Sequence, residues 1–308
     1  MTRLLLPLLL ALGGCPIGND RQPKPRDLEP SWQINRLRVL AIRADPPEVA
    51  PGQQARFEAL VVDPDGEIGA VVWLACPPES SGGIGFGCAL DPNLDFTNAS
   101  FEELEDAGVI GFEPTLPPRY APPITALEDV DEDEARNGIY ALIQIVVIPQ
   151  DVLDDGFGAG GDLDFNRLRV AYKRLRVSTK DVRNANPEIL RWRIDDIPVP
   201  DEAVVEVDPD ERYDVGVFLT EGSVEVYEHI NRDGQREERQ EQPFVTWYTD
   251  GGTMEETVTL WPFLDATWRA PSADAEVTEG TWWAVIRDRR GGMSWSTKRW
   301  RLRDPSEG

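Results

Sequence analysis

The chain has 308 residues, 56 of them acidic and 31 basic, which gives a formal net charge of −25 with a single histidine. That balance excludes nucleic acid as a partner, because phosphate binding needs Lys and Arg clustered on one face, and one histidine excludes zinc sites built from several. Hydrophobic residues at 41%, ten of them Trp, suffice for packed cores over a length that suits about two domains.

Residues 1–15 read as an export signal. Arg3 supplies the positive start, Leu4 to Leu12 the apolar run, and Gly13 and Gly14 the small residues of a cleavage site. The run is shorter than the roughly 20 apolar residues that span a bilayer. Leu12-Gly13-Gly14-Cys15 resembles the lipobox of bacterial lipoproteins. The resemblance implies that Cys15 becomes the first mature residue, carrying diacylglycerol and an N-acyl chain such as palmitate. Two or more chains anchor a protein stably where one does not. Pro16, rather than Asp, follows the cysteine, which in that family's sorting rule implies the outer membrane, with the body facing the periplasm or the cell surface. Pro16, Pro23, Pro25 and Pro30 then make residues 16–35 a stiff tether.

Beyond the tether the chain is written in strands. In Ala55–Val61, Phe57, Ala59 and Val61 alternate with Arg56 and Glu58, the period of a half-buried strand, and Tyr213, Val215, Val217 and Leu219 repeat it. Turn chemistry at Ala50-Pro51-Gly52, Asp63–Gly66, Asp208-Pro209-Asp210 and Asn231–Gly234 separates the runs. Ser100–Glu103 is a capping box leading into Leu104 and stopped at Gly108, which predicts one short helix.

An internal repeat organises the strands. Gly138-Ile139-Tyr140 and the apolar run after it match Gly280-Thr281-Trp282 and its run. Tyr172–Val177 matches Thr297–Leu302, and each pair is preceded by an apolar strand with a tryptophan, Trp73 or Trp247. The longer gap between Trp73 and Gly138 marks an insertion in the first copy. The reading is two related domains, 36–180 and 186–304.

A core Trp on one strand and Gly-x-Tyr or Gly-x-Trp opening a late strand resemble immunoglobulin-like and fibronectin-type sandwiches. The resemblance implies an all-β fold of two tandem immunoglobulin-like β-sandwich domains, with a tyrosine corner at Tyr140. It departs from the antibody pattern in lacking the inter-sheet cysteine pair, and Trp282 cannot supply the corner hydroxyl. Such domains bind, space and present far more often than they catalyse.

Cys76 and Cys88 are the cysteines left after acylation, an even pair in an oxidising compartment, and a disulfide between them is expected. A thiol nucleophile or metal ligand would need a neighbouring histidine or a further cysteine. His229 lies in a charged hairpin with no glycine-flanked serine near it, so it reads as a surface histidine. Asp129–Glu134 begins like an EF-hand loop but fails at Glu134, where glycine belongs, and at Tyr140, where the bidentate glutamate belongs. Asp151, Asp154, Asp155, Asp162 and Asp164 form an acidic loop, read as solvated and only a weak cation candidate. Trp283 and Trp295 have the opposite alternation phase to Trp282 and Trp300. They either cover an interface between the domains, the preferred reading, or join Trp261 in holding a sugar or partner protein.

The expectation is a non-enzymatic, membrane-anchored lipoprotein that binds or scaffolds an envelope protein or glycan, with no catalytic residue, no cofactor and no metal. The alternative is a carbohydrate-binding surface module using Trp261, Trp283 and Trp295. Third comes a glycoside hydrolase built on paired carboxylates.

Overall fold

The computed structural model describes residues 30–64, 68–76, 109–111, 118–154, 167–231 and 233–303. In the first half the strands are β1 (Arg38–Asp45), β2 (Glu48–Val49), β3 (Ala55–Val62), β4 (Ile68–Cys76), β5 (Val109–Gly111), β6 (Arg119–Tyr120), β7 (Ile139–Pro149) and β8 (Arg169–Val177). Two short helices, α1 (Glu132–Asn137) and α2 (Gln150–Asp154), flank β7. The second half holds β9 (Ile189–Ile194), β10 (Ile197–Val199), β11 (Val205–Val207), β12 (Arg212–Leu219), β13 (Val226–Ile230), β14 (Arg236–Gln240), β15 (Phe244–Thr249), β16 (Thr253–Met254), β17 (Val258–Leu260), β18 (Asp265–Arg269), β19 (Glu279–Arg287) and β20 (Met293–Leu302).

Both halves repeat one topology. Sheet β1-β3-β6 packs on β2-β8-β7-β4-β5, and sheet β10-β9-β12-β18-β16 packs on β11-β20-β19-β15-β17. In each, the chain pairs its first strand in one sheet, then crosses to the other and runs parallel to the last strand, Val49 beside Val177 and Val207 beside Leu302. This division of A, B and E strands from C, F and G strands is that of immunoglobulin-like β-sandwiches.

The pairings correct the register of the repeat. Trp73 pairs with Ile145 and Trp247 with Ala284, while Leu175 pairs with Ala141 and Trp300 with Gly280. Trp282 therefore corresponds to Ile143, not to Tyr140. Both Trp282 and Ile143 point into their cores, whereas Tyr140 lies on the other face, its hydroxyl accepting from Arg176 Nη2 at 2.7 Å. The matched glycines differ too: Gly138 ends α1 with φ of 89°, while Gly280 makes room for an indole. A Cβ on Gly280 would come within 2.5 Å of Trp300 Cζ2.

The first core gathers Phe57, Trp73, Ile143, Ile145 and Leu175. Strands β4 and β7 are buried on both faces over most of their length, which is why their sequences run apolar without alternation. The second core is built on five tryptophans, Trp192, Trp247, Trp268, Trp282 and Trp300, each at most 1% exposed. Edge-to-face contacts order them, with ring centroids of Trp268 and Trp282 4.8 Å apart. Three indole N–H groups find acceptors: Trp192 on Ser296 Oγ, Trp247 on Thr259 Oγ1 and Trp268 on the Gly251 carbonyl.

The acidic stretch 129–134 is a helix start rather than an ion loop. Asp131 Oδ1 accepts from the N–H of Asp133 at 2.9 Å, and Glu132, Asp133 and Glu134 occupy the first turn, where the helix dipole favours negative charge. The capping box at 100–103 lies outside the described residues.

The chain divides into Met1–Ser31 and one compact unit, Trp32–Gly308. Residues 32–34, read from sequence as tether, belong to that unit. The Ile34 N–H donates to the Thr249 carbonyl at 2.8 Å and the Thr249 N–H to the Trp32 carbonyl at 3.0 Å. Ile34 is buried, and Trp32 packs on the second core.

Candidate functional site

The residues singled out by sequence do not converge. Cys76 ends β4 in a buried position, while Cys15 and Cys88 lie outside the described residues. Asp151 is paired with Arg167, and Asp154 accepts from Gln150 Nε2 at 2.8 Å, so protein groups occupy both. Asp155, Asp162 and Asp164 lie outside the described residues. Among the described residues no group of three or more His, Cys, Asp or Glu side chains is arranged to hold a metal ion. His229 sits on β13 opposite Glu237, its pKa lowered chiefly by partial burial and also by the charge of Arg239.

Trp283 and Trp295 do face out of the second sandwich, but not into solvent. Trp283 and Val285 are buried against Leu40 and Ala41 of β1, with Leu60, Val62, Tyr248, Met293 and Trp295 around them. The Arg43 guanidinium of the first sandwich lies 5.3 Å from the Trp295 ring centre. An exposed three-tryptophan platform is thereby corrected: the face is covered because a large apolar area beside a second sandwich is cheaper to bury than to hydrate. Trp261 alone stays open, 38% exposed at the end of β17, beside Leu260 at 52% and Phe263 at 75%.

Next to this apolar seam is a buried charged joint that sequence reading missed. The turn between β19 and β20 carries Asp288, whose Oδ1 accepts from the N–H groups of Arg290 and Gly291 and whose Oδ2 accepts from Asn184 Nδ2 at 2.6 Å. Gly292 is needed here, since a Cβ would come within 2.1 Å of Asp288 Oδ2. The turn aims Arg290 into the seam, where Nη1 donates to Glu225 Oε2 and Glu241 Oε1, each at 2.8 Å. Nη2 lies 3.7 Å from Glu48 Oε2 on β2 of the first sandwich, and the Tyr227 ring centre is 4.1 Å from the guanidinium carbon. Lys173 of β8 donates to the Gly291 carbonyl.

The link between sandwiches is clasped from both sides. Asn186 donates to the Ala44 carbonyl at 2.8 Å and accepts from the Met293 N–H at 2.9 Å. The β13–β14 hairpin, which interrupts the second sandwich, reaches back to the first: Asn137 and Ile230 exchange hydrogen bonds of 2.9 and 3.1 Å, and Arg136 pairs with Glu228.

Burial sets the electrostatics. It pushes the Glu241 carboxyl up to about 7, helped by the charge of Asp288, and raises Asp288 as well. It lowers Lys173 to about 8, partly offset by Asp288. The carboxylates here are aimed at a guanidinium and at backbone N–H groups, so what the arrangement does is fix two sandwiches against each other. One signal of it was legible: Asp288–Gly292 is a turn sequence between two strand runs. Glu48 and Glu241, distant in the chain, carried none.

No protein-family model and no curated protein sequence matches the chain. Among solved structures, it is similar to the fibronectin(III)-like modules of Clostridium thermocellum CbhA, at 9% identity over 85% of this chain and 94% of that one, with a TM-score of 0.22. It is also similar to the two tandem V-type regions of the v-region-containing chitin binding protein VCBP3, at 13% identity over 87% and 100%, with a TM-score of 0.28. A third is the three N-terminal domains of the bacteriophage RB49 outer capsid protein Hoc, at 8% identity over 86% and 59%, with a TM-score of 0.21.

Proposed function

We propose that this protein is a non-enzymatic, lipid-anchored lipoprotein of the bacterial outer membrane that presents two fused immunoglobulin-like sandwiches as one rigid binding or scaffolding module. The joint carries this reading. A chain that buries Glu48, Asp288, Arg290 and Glu241 between its sandwiches gives up domain mobility, and a fixed spacing is what a scaffold needs. The anchor rests on Cys15, as no described helix is long and apolar enough to cross a membrane. Labelled fatty acid should enter the wild type and not Cys15→Ala, which should leave the membrane fraction. A photocrosslinker at Leu260 should then capture one discrete envelope component in cells. Equal labelling of both forms would refute the anchor, and no discrete adduct would refute the scaffold.

A glycan-binding reading now rests on Trp261 with its exposed neighbours Leu260 and Phe263, since stacking on a sugar needs an open indole face. Retention on a glycan array that Trp261→Ala abolishes would support it.

A further inference from the structure

We propose that the free edge of β17 is a docking site for an extended peptide segment of a partner protein, which adds to the sheet as a further strand and offers a carboxylate to Arg289. The proposal takes the scaffolding reading as its setting and names the chemistry of what is held. β17 is the outermost strand of sheet β11-β20-β19-β15-β17. It runs antiparallel to β15 with Thr259 opposite Val245. The Trp261 N–H donates to the Pro243 carbonyl at 2.9 Å and the Trp247 N–H to the Thr257 carbonyl at 3.0 Å. Bonded pairs alternate along such a ladder, so Val258 and Leu260, which fall between them, turn their N–H and C=O groups outward. The Leu260 carbonyl accepts from the Phe263 N–H at 2.8 Å. Both N–H groups and the Val258 carbonyl remain for an added strand, and among the described residues no strand pairs with them.

The side chains of this edge are inverted relative to a strand that meets only water. Thr259 is buried, its Oγ1 accepting from Trp247 Nε1 at 2.8 Å, while Val258 is 50% and Leu260 52% exposed. A strand with a solvated outer face keeps its apolar residues within and its polar ones outside. Open edges are also commonly guarded by charge or proline, and Thr257 to Leu260 carry neither.

The charge around the edge says what the added strand carries. Leu260, Phe244 and Arg287 form one row across β17, β15 and β19. The guanidinium carbons of Arg287 and Arg289 lie 5.9 and 5.5 Å from the Phe244 ring centre. Arg287 is spent on Thr246 Oγ1 and the Leu40 carbonyl. Arg289 is exposed, sits at a φ of 69° that is costly for a residue other than glycine, and pairs with no carboxylate among the described residues. The acids nearest β17 in the chain are committed, Glu255 to Arg212, Glu256 to the Thr267 N–H and Asp265 to Arg193. In a chain of net charge −25 this rim is therefore positive. It fits a strand with aliphatic side chains beside Val258 and Leu260 and an acid on the Arg289 side. Strands lie about 4.8 Å apart, which puts the added one roughly 10 Å from β15, a gap that arginine and glutamate side chains bridge together.

Selection of a displayed library of random peptides on the full chain, purified in detergent, tests this. Enriched peptides should share alternating aliphatic residues and an acidic residue. Val258→Pro removes one outward N–H and no bond to β15, and should abolish their binding. Arg289→Gly suits the positive φ and so keeps the fold; it should weaken binding about three- to tenfold and flatten its dependence on salt. Should Val258→Pro not fold, Arg289→Gly decides. No enrichment, enriched peptides without an acidic residue, or binding that either folded variant retains in full would overturn the proposal. A wild-type dimer that Val258→Pro dissolves would overturn it too, by giving the edge to a second copy. The selection contains no envelope component, so its failure rejects this edge while the crosslink in cells still decides the scaffold.

Discussion

The backbone N–H of Asn184 donates to Glu48 Oε2 at 3.0 Å while its side chain donates to Asp288 Oδ2 at 2.6 Å, so one link residue holds both sandwiches. Asn184→Ala keeps the first bond and removes the second, leaving the buried Asp288 Oδ2 with the Gly292 N–H at 3.0 Å as its remaining donor. The expected loss is about 1 to 3 kcal/mol, read as a lower urea midpoint at unchanged slope.

Arg290 is the hub of the joint and is 5% exposed. Arg290→Ala strands Glu48, Glu225 and Glu241 without their common cation and should cost about 3 to 5 kcal/mol. Arg290→Lys should not restore the loss, because a single ammonium cannot match the two-nitrogen reach of the guanidinium. Urea unfolding of both variants checks this, and a wild-type midpoint for Arg290→Ala would contradict it.

Trp73 and Trp247 are equivalent residues of two separate cores. Replacing either by Ala should cost about 3 to 5 kcal/mol through lost burial and the cavity left. Gly280→Ala, with its Cβ driven against Trp300, should cost about 1 to 3 kcal/mol by overpacking. Tryptophan fluorescence during denaturation reports the second core directly.

Much of the fold was legible in the chain. Alternation in Ala55–Val61 and the turn residues around it mark half-buried strands, and Trp73 and Trp247 stand as equivalents in structure as in sequence. The repeat misaligned at Tyr140 because a Gly-x-aromatic pattern arises for two unrelated reasons, a helix end at Gly138 and space for an indole at Gly280. The α1 helix was hidden because its six residues carry too little periodicity, and its acids resembled ion ligands. The joint was hidden for a different reason. Buried charge pairs join residues far apart in the chain, Glu48 with Arg290 and Arg290 with Glu241, and local pattern holds no record of such pairing.

With export and acylation of Cys15 as proposed, Cys76 and Cys88 are the two remaining thiols and should be linked to each other. Mass spectrometry of a non-reduced digest should find the joined peptides. Free thiols at both positions would reject the pairing.

Two sandwiches with separate cores behave as one unit because a third apolar cluster and the Arg290 joint couple them. Scanning calorimetry of the chain from residue 16 tests it most directly. A single transition is expected, with calorimetric and van't Hoff enthalpies in agreement, splitting into two in Arg290→Ala. Two resolved transitions in the wild type, each matching an isolated sandwich of residues 36–180 or 186–304, would contradict it.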